Sequence, residues 1–253
     1  MISYQELVVA GNGTGKKFIP TPEGVAMASI PNWVALADPN YISASGVKNR
    51  TQRDSNFTIV QGGINLGAFP NGEKSFNPTD AVISRLLSPV DFPKDEWSVF
   101  FVVKPVEKII EPLNQAIITA NNDMTADIKK YAPSIRLLRD GTGIGIYRTG
   151  ALADQNRRLA YKSTDMLGVS SLFIATFSKD LGLSIYRNGA KVAENTSDKN
   201  PINDQFGLGS WSLLRGCRGD VGMIGVLGLD LNKAANTGYR KQIEEYLQSR
   251  YIG

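Results

Sequence analysis

Seven residues in or beside predicted loops carry side chains suited to sugar recognition. They are Trp33, Tyr41, Tyr147, Arg148, Asn156, Tyr161 and Trp211. An aromatic ring can cover the apolar C–H face of a pyranose, while amide and guanidinium groups bond its hydroxyls. Each residue type serves equally well in packing or in a turn. We therefore treat the set as candidates for carbohydrate binding, to be sorted by where the fold places them.

Catalytic chemistry has little support in the sequence. The chain contains no histidine, which removes serine–histidine and cysteine–histidine catalysis and the usual zinc sites. Glycoside hydrolysis normally uses two carboxylates. No two acidic residues stand at positions i and i+2, the spacing that places side chains on one face of a strand. We expect no enzyme, although a carboxylate pair assembled from different strands keeps a polysaccharide-degrading glycosidase as an alternative.

Composition limits the possible partners and environment. A chain of 253 residues suits one large β domain or two small ones. The net charge of +4 comes from scattered Lys and Arg residues, so we expect no nucleic acid partner. Cys217 is the single cysteine and forms no intrachain disulfide. No apolar run approaches the roughly 20 residues of a membrane helix, and the first residues do not resemble a signal peptide. We expect a protein made in a cytoplasm, with no membrane insertion.

Most of the chain alternates short apolar segments with turn residues. Asp140-Gly141 and Asn188-Gly189 are hairpin signals. This pattern predicts a sandwich or jelly roll, with strands near residues 57–60, 81–87, 97–103, 115–119, 134–138, 142–147, 171–177, 181–186, 190–193, 206–214 and 221–229. The segment 31–53 is polar and turn-rich.

The last segment predicts an amphipathic helix over residues 239–251. Its apolar side chains share one stripe at helical spacing: Tyr239, Ile243, Tyr246, Leu247 and Tyr251. Arg240, Lys241, Glu244 and Glu245 are assigned to the opposite face, with Asn232 or Asn236 as the cap. We expect the stripe to pack against a sheet.

Two segments resemble concanavalin A-like, laminin-G-like jelly-roll domains. One is the glycine-spaced strand 219–229 followed by the helix. The other is the run 171–195, with a strand ending in Tyr186-Arg187-Asn188-Gly189 and a short return strand. The resemblance covers residues 95–252 well and implies an all-β fold, a jelly-roll sandwich of two antiparallel sheets with a C-terminal helix. We expect this domain to span 30–253, with 1–29 as an arm or linker.

The resemblance also suggests a function. Many such domains belong to secreted carbohydrate-binding proteins and to bacteriophage tail and fibre proteins. It implies a virion module of a phage tail or fibre that binds a host cell-surface glycan and contacts other virion proteins or itself. A structural assembly protein without glycan binding is the alternative. Lectins of this kind often hold calcium through loop oxygens, for which Asp198, Asn200 and Asp204 are the candidates here.

Overall fold

The structure is a computed structural model, and it describes residues 22–51, 55–60, 63–78, 85–93, 95–106, 115–120, 133–138, 141–148, 157–199 and 211–253. Helices α1 (Pro22–Ala28) and α2 (Thr237–Tyr251) lie near the two ends of this part of the chain, and a short 3₁₀ turn, Ala234–Asn236, precedes α2. The strands are β1 (Trp33–Ser43), β2 (Gly46–Asn49), β3 (Asn56–Val60), β4 (Ile64–Ala68), β5 (Lys74–Pro78), β6 (Arg85–Leu87), β7 (Glu96–Pro105), β8 (Gln115–Ala120), β9 (Pro133–Leu137), β10 (Gly143–Arg148), β11 (Arg157–Lys162), β12 (Ser171–Ser178), β13 (Gly182–Arg187), β14 (Ala190–Asn195), β15 (Trp211–Leu213) and β16 (Gly219–Leu227).

The strands follow one antiparallel path that nearly closes on itself. Its order is β11-β10-β9-β8-β15-β6-β3-β2-β1-β16-β7-β12-β13-β14, and the β4–β5 hairpin joins through β5 to β16. The two ends of the path meet where Asn195 Nδ2 donates to the Arg158 carbonyl at 2.8 Å. A mostly β chain with a C-terminal helix is therefore confirmed. The expected jelly roll of two separate sheets is not confirmed, because the described strands form a near-barrel.

The inner faces of the strands enclose the main core. Its centre holds stacked aromatic pairs, Trp97 with Phe177 at 6.0 Å and Phe101 with Phe173 at 5.7 Å between ring centroids. β7 and β12 are buried along nearly their whole length. This burial on both faces matches their continuous apolar sequences, since a half-exposed strand would alternate apolar with polar residues.

A second apolar layer lies outside the near-barrel, beneath the helices. Ile243, Leu247 and Tyr251 of α2 are buried there against outward-facing residues of the sheet, with Tyr239 and Tyr246 half-buried beside them. The predicted helix and its packing stripe are confirmed. Within the described part of the chain, no helix has the length and apolarity needed to cross a membrane.

Two details of the predicted helix are corrected. Glu244 is buried, at 8% exposure, although its position had assigned it to the polar face; it lies 3.6 Å from the Arg240 guanidinium. Asn236 stands at the cap position without capping, because its amide donates instead to the Asp230 carbonyl at 2.8 Å. The pair of Arg240 and Glu244 follows from their i,i+4 spacing, whereas the local cap signal did not reveal the Asp230 carbonyl as a partner of Asn236.

The glycine spacing of β16 makes room for aromatic rings. A Cβ at Gly225 would lie 2.1 Å from the ring of Phe100, its cross-strand partner on β7. A Cβ at Gly222 would lie 3.0 Å from the Tyr251 ring of α2. The glycines therefore let Phe100 and the helix lie close to the sheet.

Much of the first 80 residues was not predicted as regular structure. The segment 31–53, read as turn-rich, contains β1, an eleven-residue strand in the middle of the sheet between β16 and β2. β2, β4, β5 and β11 were also missed. Helix α1 falls within the expected arm 1–29, and Met27 and Ala28 are buried in the outer apolar layer. The domain boundary at residue 29 stays a prediction.

Candidate functional site

The two candidate tryptophans lie inside the protein. Trp33 is 8% exposed beneath the helices, edge-on to Phe100 at 5.7 Å. Trp211 is fully buried between Phe57 and Phe92, and its Nε1 donates to the Val90 carbonyl at 2.6 Å. A ring in this position could stack on a sugar only if the surrounding packing opened. We carry neither residue into the proposed site.

Two candidate tyrosines lie under arginines. The Arg50 guanidinium lies 4.5 Å from the Tyr41 ring centroid, and that of Arg136 lies 5.1 Å from the Tyr147 centroid. Both rings are half-buried. The Tyr147 ring also lies over Gly145 of its own strand, since a Cβ at Gly145 would be 2.6 Å from the ring.

The structure describes only some of the remaining candidates for sugar and calcium binding. Arg148 ends β10, and its side chain lies outside the described residues, as do Asn156, Asn200 and Asp204. Asp198, the described member of the calcium set, uses both carboxylate oxygens to accept hydrogen bonds from Arg158. No group of three or more potential metal-ligating side chains occurs in the described ranges. Calcium binding by Asp198, Asn200 and Asp204 stays a prediction.

Tyr161 is half-buried, with its ring packed against the main core, and is the predicted candidate whose hydroxyl lies beside an exposed carboxylate. It sits near the end of β11, and its hydroxyl accepts a hydrogen bond from Arg187 Nη1 at 3.3 Å. The same Nη1 donates to Asp165 at 2.6 Å, and Arg187 Nε donates to Ser171 Oγ at 3.2 Å. The Asp165 side chain is 68% exposed, whereas that of Arg187 is 10% exposed. A solvent-facing carboxylate is thus held by a largely buried guanidinium beside an aromatic ring.

The loop from Ser163 to Ser170 adds exposed apolar surface to this group. Met166 is fully buried and anchors the loop, and Gly168, at φ +72°, donates its N–H to the Pro105 carbonyl at 2.9 Å. Leu167 and Val169, on either side of that glycine, are 41% and 49% exposed. We call the group Tyr161, Asp165, Leu167, Val169 and Arg187 the apical rim.

The apical rim has a fixed charge distribution. A hydrogen bond from Ser163 and a second from Arg187 lower the pKa of Asp165 below its ordinary value. Burial alone would lower the pKa of Arg187, but its bonds to Tyr161 and Asp165 outweigh that effect and raise it. Both groups are therefore charged at neutral pH. Asp165 can accept hydroxyl hydrogens, and Tyr161 keeps its own hydroxyl hydrogen for donation.

Sequence reasoning found one of the five rim residues. Arg187 was visible as the residue before the Asn188-Gly189 turn, a hairpin that the structure confirms between β13 and β14. Nothing local marks Asp165, which reaches Arg187 across 22 positions of sequence. Leu167 and Val169 are ordinary apolar residues whose exposure becomes visible only when Met166 and Gly168 fix the loop.

Neither a protein-family model nor a curated protein matches this sequence. Domain 4 of AbnA, an extracellular GH43 arabinanase from Geobacillus stearothermophilus solved with arabinotriose, is similar in structure. It has a TM-score of 0.58 and 13% identity, over 83% of this chain and 98% of that domain.

Receptor-binding domains of botulinum neurotoxins are also similar. The serotype D binding domain has a TM-score of 0.58 and 11% identity over 86% of this chain. A structure of botulinum neurotoxin type C, whose cell entry is described as dependent on interaction with two ganglioside molecules, is also similar. It has a TM-score of 0.54 and 9% identity over 83% of this chain. The chain spans about half of these domains, 53% and 51%. At such low identity these similarities establish the class of fold alone, an all-β domain, and leave function to the residues of the site.

Proposed function

We propose that this protein is a non-enzymatic carbohydrate-binding module and that the apical rim is its sugar-binding site. The observation that carries the proposal is the joining of Tyr161, Asp165 and Arg187 beside exposed Leu167 and Val169. Sugars present hydroxyls and apolar C–H faces together, and the rim offers a complement to each. Arabinotriose in the similar arabinanase domain supports the same choice of ligand class.

The rim suits binding better than hydrolysis. Within the described residues it presents one carboxylate, that of Asp165, and this group is held by Arg187 at 2.6 Å. Glycosidases use a pair of carboxylates, one of which commonly has a raised pKa so that it can act as the acid. The pKa of Asp165 is shifted in the opposite direction, which favours an acceptor of hydrogen bonds over an acid catalyst.

Binding is tested with a glycan array and matched variants. We expect saturable binding by the unaltered protein and at least tenfold weaker binding by Asp165→Asn. Asp180→Asn is the control, because its side chain is 73% exposed, it pairs with Lys233 at 3.1 Å, and it lies at the opposite end of β12. Equal losses in the two variants, or no binding to any glycan, would remove the proposal and favour the assembly role.

The apolar part of the rim is tested in the same way. Leu167→Ser should weaken binding several-fold because the sugar loses apolar contact area. Leu66→Ser is the matched control, since Leu66 is 44% exposed on β4, away from the rim. If both serine variants bind like the unaltered protein, the loop does not contact the ligand.

We further propose that the module belongs to a phage tail or fibre, where it would bind a host surface glycan and contact other virion proteins. The resemblance of residues 171–195 and 219–252 to domains of such particles supports this placement. Mass spectrometry of purified phage particles tests it. Stoichiometric recovery of the chain with tail proteins is the expected result, and its absence from intact particles would reject the placement.

A further inference from the structure

In the apical rim, Arg187 holds the carboxylate of Asp165 through one of its two oxygens. Arg187 Nη1 donates to Asp165 Oδ1 at 2.6 Å, and the Ser163 hydroxyl donates to the same Oδ1. A guanidinium can make two parallel bonds to a carboxylate, but Nη2 and Oδ2 do not form the second one. Within the described ranges, Oδ2 accepts no hydrogen bond from another side chain. The Asp165 side chain is largely exposed, so this oxygen remains open to a ligand.

Two donors beside this oxygen are also unused. Arg187 donates from Nε to Ser171 and from Nη1 to Asp165 and to the Tyr161 hydroxyl. Its Nη2 has no acceptor among the residues that the structure describes, and it is not one of the fully buried side-chain atoms that lack a partner. Nη2 therefore keeps surface open to solvent. The Tyr161 hydroxyl accepts from Nη1 at 3.3 Å, and in the same part of the chain its own hydrogen has no acceptor.

These free positions match two hydroxyl groups. The ionised Oδ2 of Asp165 has two lone pairs and can accept two hydrogens, while Arg187 Nη2 and the Tyr161 hydroxyl offer two donors. A sugar hydroxyl donates one hydrogen and can accept another, so two hydroxyls use all four positions. The acceptor and the donors are joined at Arg187 Nη1, which lies 2.6 Å from Asp165 and 3.3 Å from Tyr161. Such close spacing requires the two hydroxyls to be neighbours on one sugar ring.

We propose that the apical rim recognises a vicinal diol, that is, two adjacent free hydroxyls of a single sugar unit. Both hydroxyls donate to Asp165 Oδ2; one accepts from Arg187 Nη2 and the other from the Tyr161 hydroxyl. Exposed Leu167 and Val169, on the loop that carries Asp165, cover apolar C–H surface beside the diol. This inference rests on the proposed function and narrows it: a glycan whose sugar units are all substituted at one of the two hydroxyls does not bind.

Competition by single sugars tests the diol. Methyl glycosides of glucose, galactose, mannose and arabinose compete against array binding, and analogues of the best competitor that each lack one hydroxyl are then compared with it. Removing either of two adjacent hydroxyls should weaken competition about tenfold, the scale of a hydrogen bond to a charged group, and removing any other should change it at most about twofold. Loss at one hydroxyl alone, loss only at separated hydroxyls, or failure of all four glycosides to compete would overturn the diol and leave glycan binding intact.

Variants assign the contacts within the diol. Asp165→Asn replaces Oδ2 by an amide nitrogen, so in this variant the removal of either hydroxyl from the sugar should cost no further affinity. Tyr161→Phe keeps the ring, and it should reduce the loss at one hydroxyl while leaving the loss at the other unchanged. Tyr239→Phe is the matched control, because Tyr239 lies on α2 in the outer apolar layer. Additive losses in Asp165→Asn, or equal changes at both hydroxyls in Tyr161→Phe, would overturn the inference. Absence of binding to any glycan would overturn both proposals.

Discussion

Under the proposed function, one residue of the apical rim, Asp165, sets how glycan binding should depend on pH. Asp165 must be ionised to accept two hydroxyl hydrogens, and its pKa lies below the ordinary value of 3.8 because Ser163 and Arg187 bond the charged form. The charged form is therefore complete above that value and is lost only as pH falls through the lowered pKa. We expect an unchanged affinity between about pH 5 and about pH 8, measured by calorimetry. A transition near pH 6 would exclude Asp165 as the controlling group.

A buried carboxylate also controls stability. Asp38 is 1% exposed and lies 3.0 Å from Arg50 and 3.1 Å from Arg250. Burial by itself raises its pKa, but the charges and bonds of the two arginines outweigh burial and lower it. Asp38→Asn should reduce the free energy of unfolding by about 3–5 kcal/mol at pH 7, since the buried Arg50 loses its carboxylate and Arg250 keeps only Glu73, 2.9 Å away.

Denaturant unfolding across pH checks the Asp38 prediction. Because the folded pKa is lowered, the contribution is complete above the unfolded value of 3.8 and is lost as pH falls through the folded pKa. The variant and the unaltered protein should therefore converge in acid. Lys191→Gln is the control. Lys191 pairs with Glu194, their side chains are 38% and 37% exposed, and such a surface ion pair contributes about 0–1 kcal/mol to stability. A pH-independent difference for Asp38→Asn would reject the electrostatic explanation.

Asp38 also explains why β1 escaped prediction. A strand that contains Asp38, Pro39 and Asn40 carries local turn signals, and the arginines that satisfy its carboxylate are 12 and 212 positions away. By contrast, β7, β12 and β13 were predicted correctly because their apolar composition and hairpin turns are local properties. Tyr161 was foreseen for its chemistry, while Asp165 needed the folded loop. Local patterns predicted the strands well, and partners distant in sequence decided the rest.

At the scale of elements, β16 depends on its glycines. Gly225→Ala would place a Cβ 2.1 Å from the Phe100 ring, which is fixed beneath Trp33 at 5.7 Å. We expect the free energy of unfolding to fall by about 1–3 kcal/mol, the usual cost of overpacking. Gly228→Ala is the matched control, because a Cβ there would lie 3.7 Å from its nearest neighbours, the Asn32 carbonyl oxygen and a Val34 methyl group. Thermal unfolding of the two variants tests this, and equal melting temperatures would contradict it.

At the scale of the whole molecule, the near-closure of the strand path depends on Arg158. Its guanidinium binds both oxygens of Asp198 and lies 5.7 Å from the centroid of the Phe177 ring, while its carbonyl accepts from Asn195. The side chains of Arg158 and Asp198 are 8% and 15% exposed. Arg158→Met should cost about 3 kcal/mol, because the carboxylate of Asp198 loses its buried partner.

A second change separates charge from packing at this closure. Arg158→Met combined with Asp198→Leu should recover part of the lost stability, since neither side chain of the pair is left facing a missing partner. Denaturant unfolding of the two single variants and the double variant completes the cycle. Simple additivity of the two losses would show that the pair does not hold the ends of the path together.

The position of β1 has a consequence for how the protein is made. Ala37 of β1 pairs with Ile224 of β16, and β16 also completes the free side of β7. A ribosome delivers β1 and β7 long before β16, so one edge of each strand stays unpaired until β16 has been synthesised. Pairings between distant segments form slowly, and edges left open in the meantime favour aggregation. The last strand to emerge is thus the one that joins the first and middle parts of the fold.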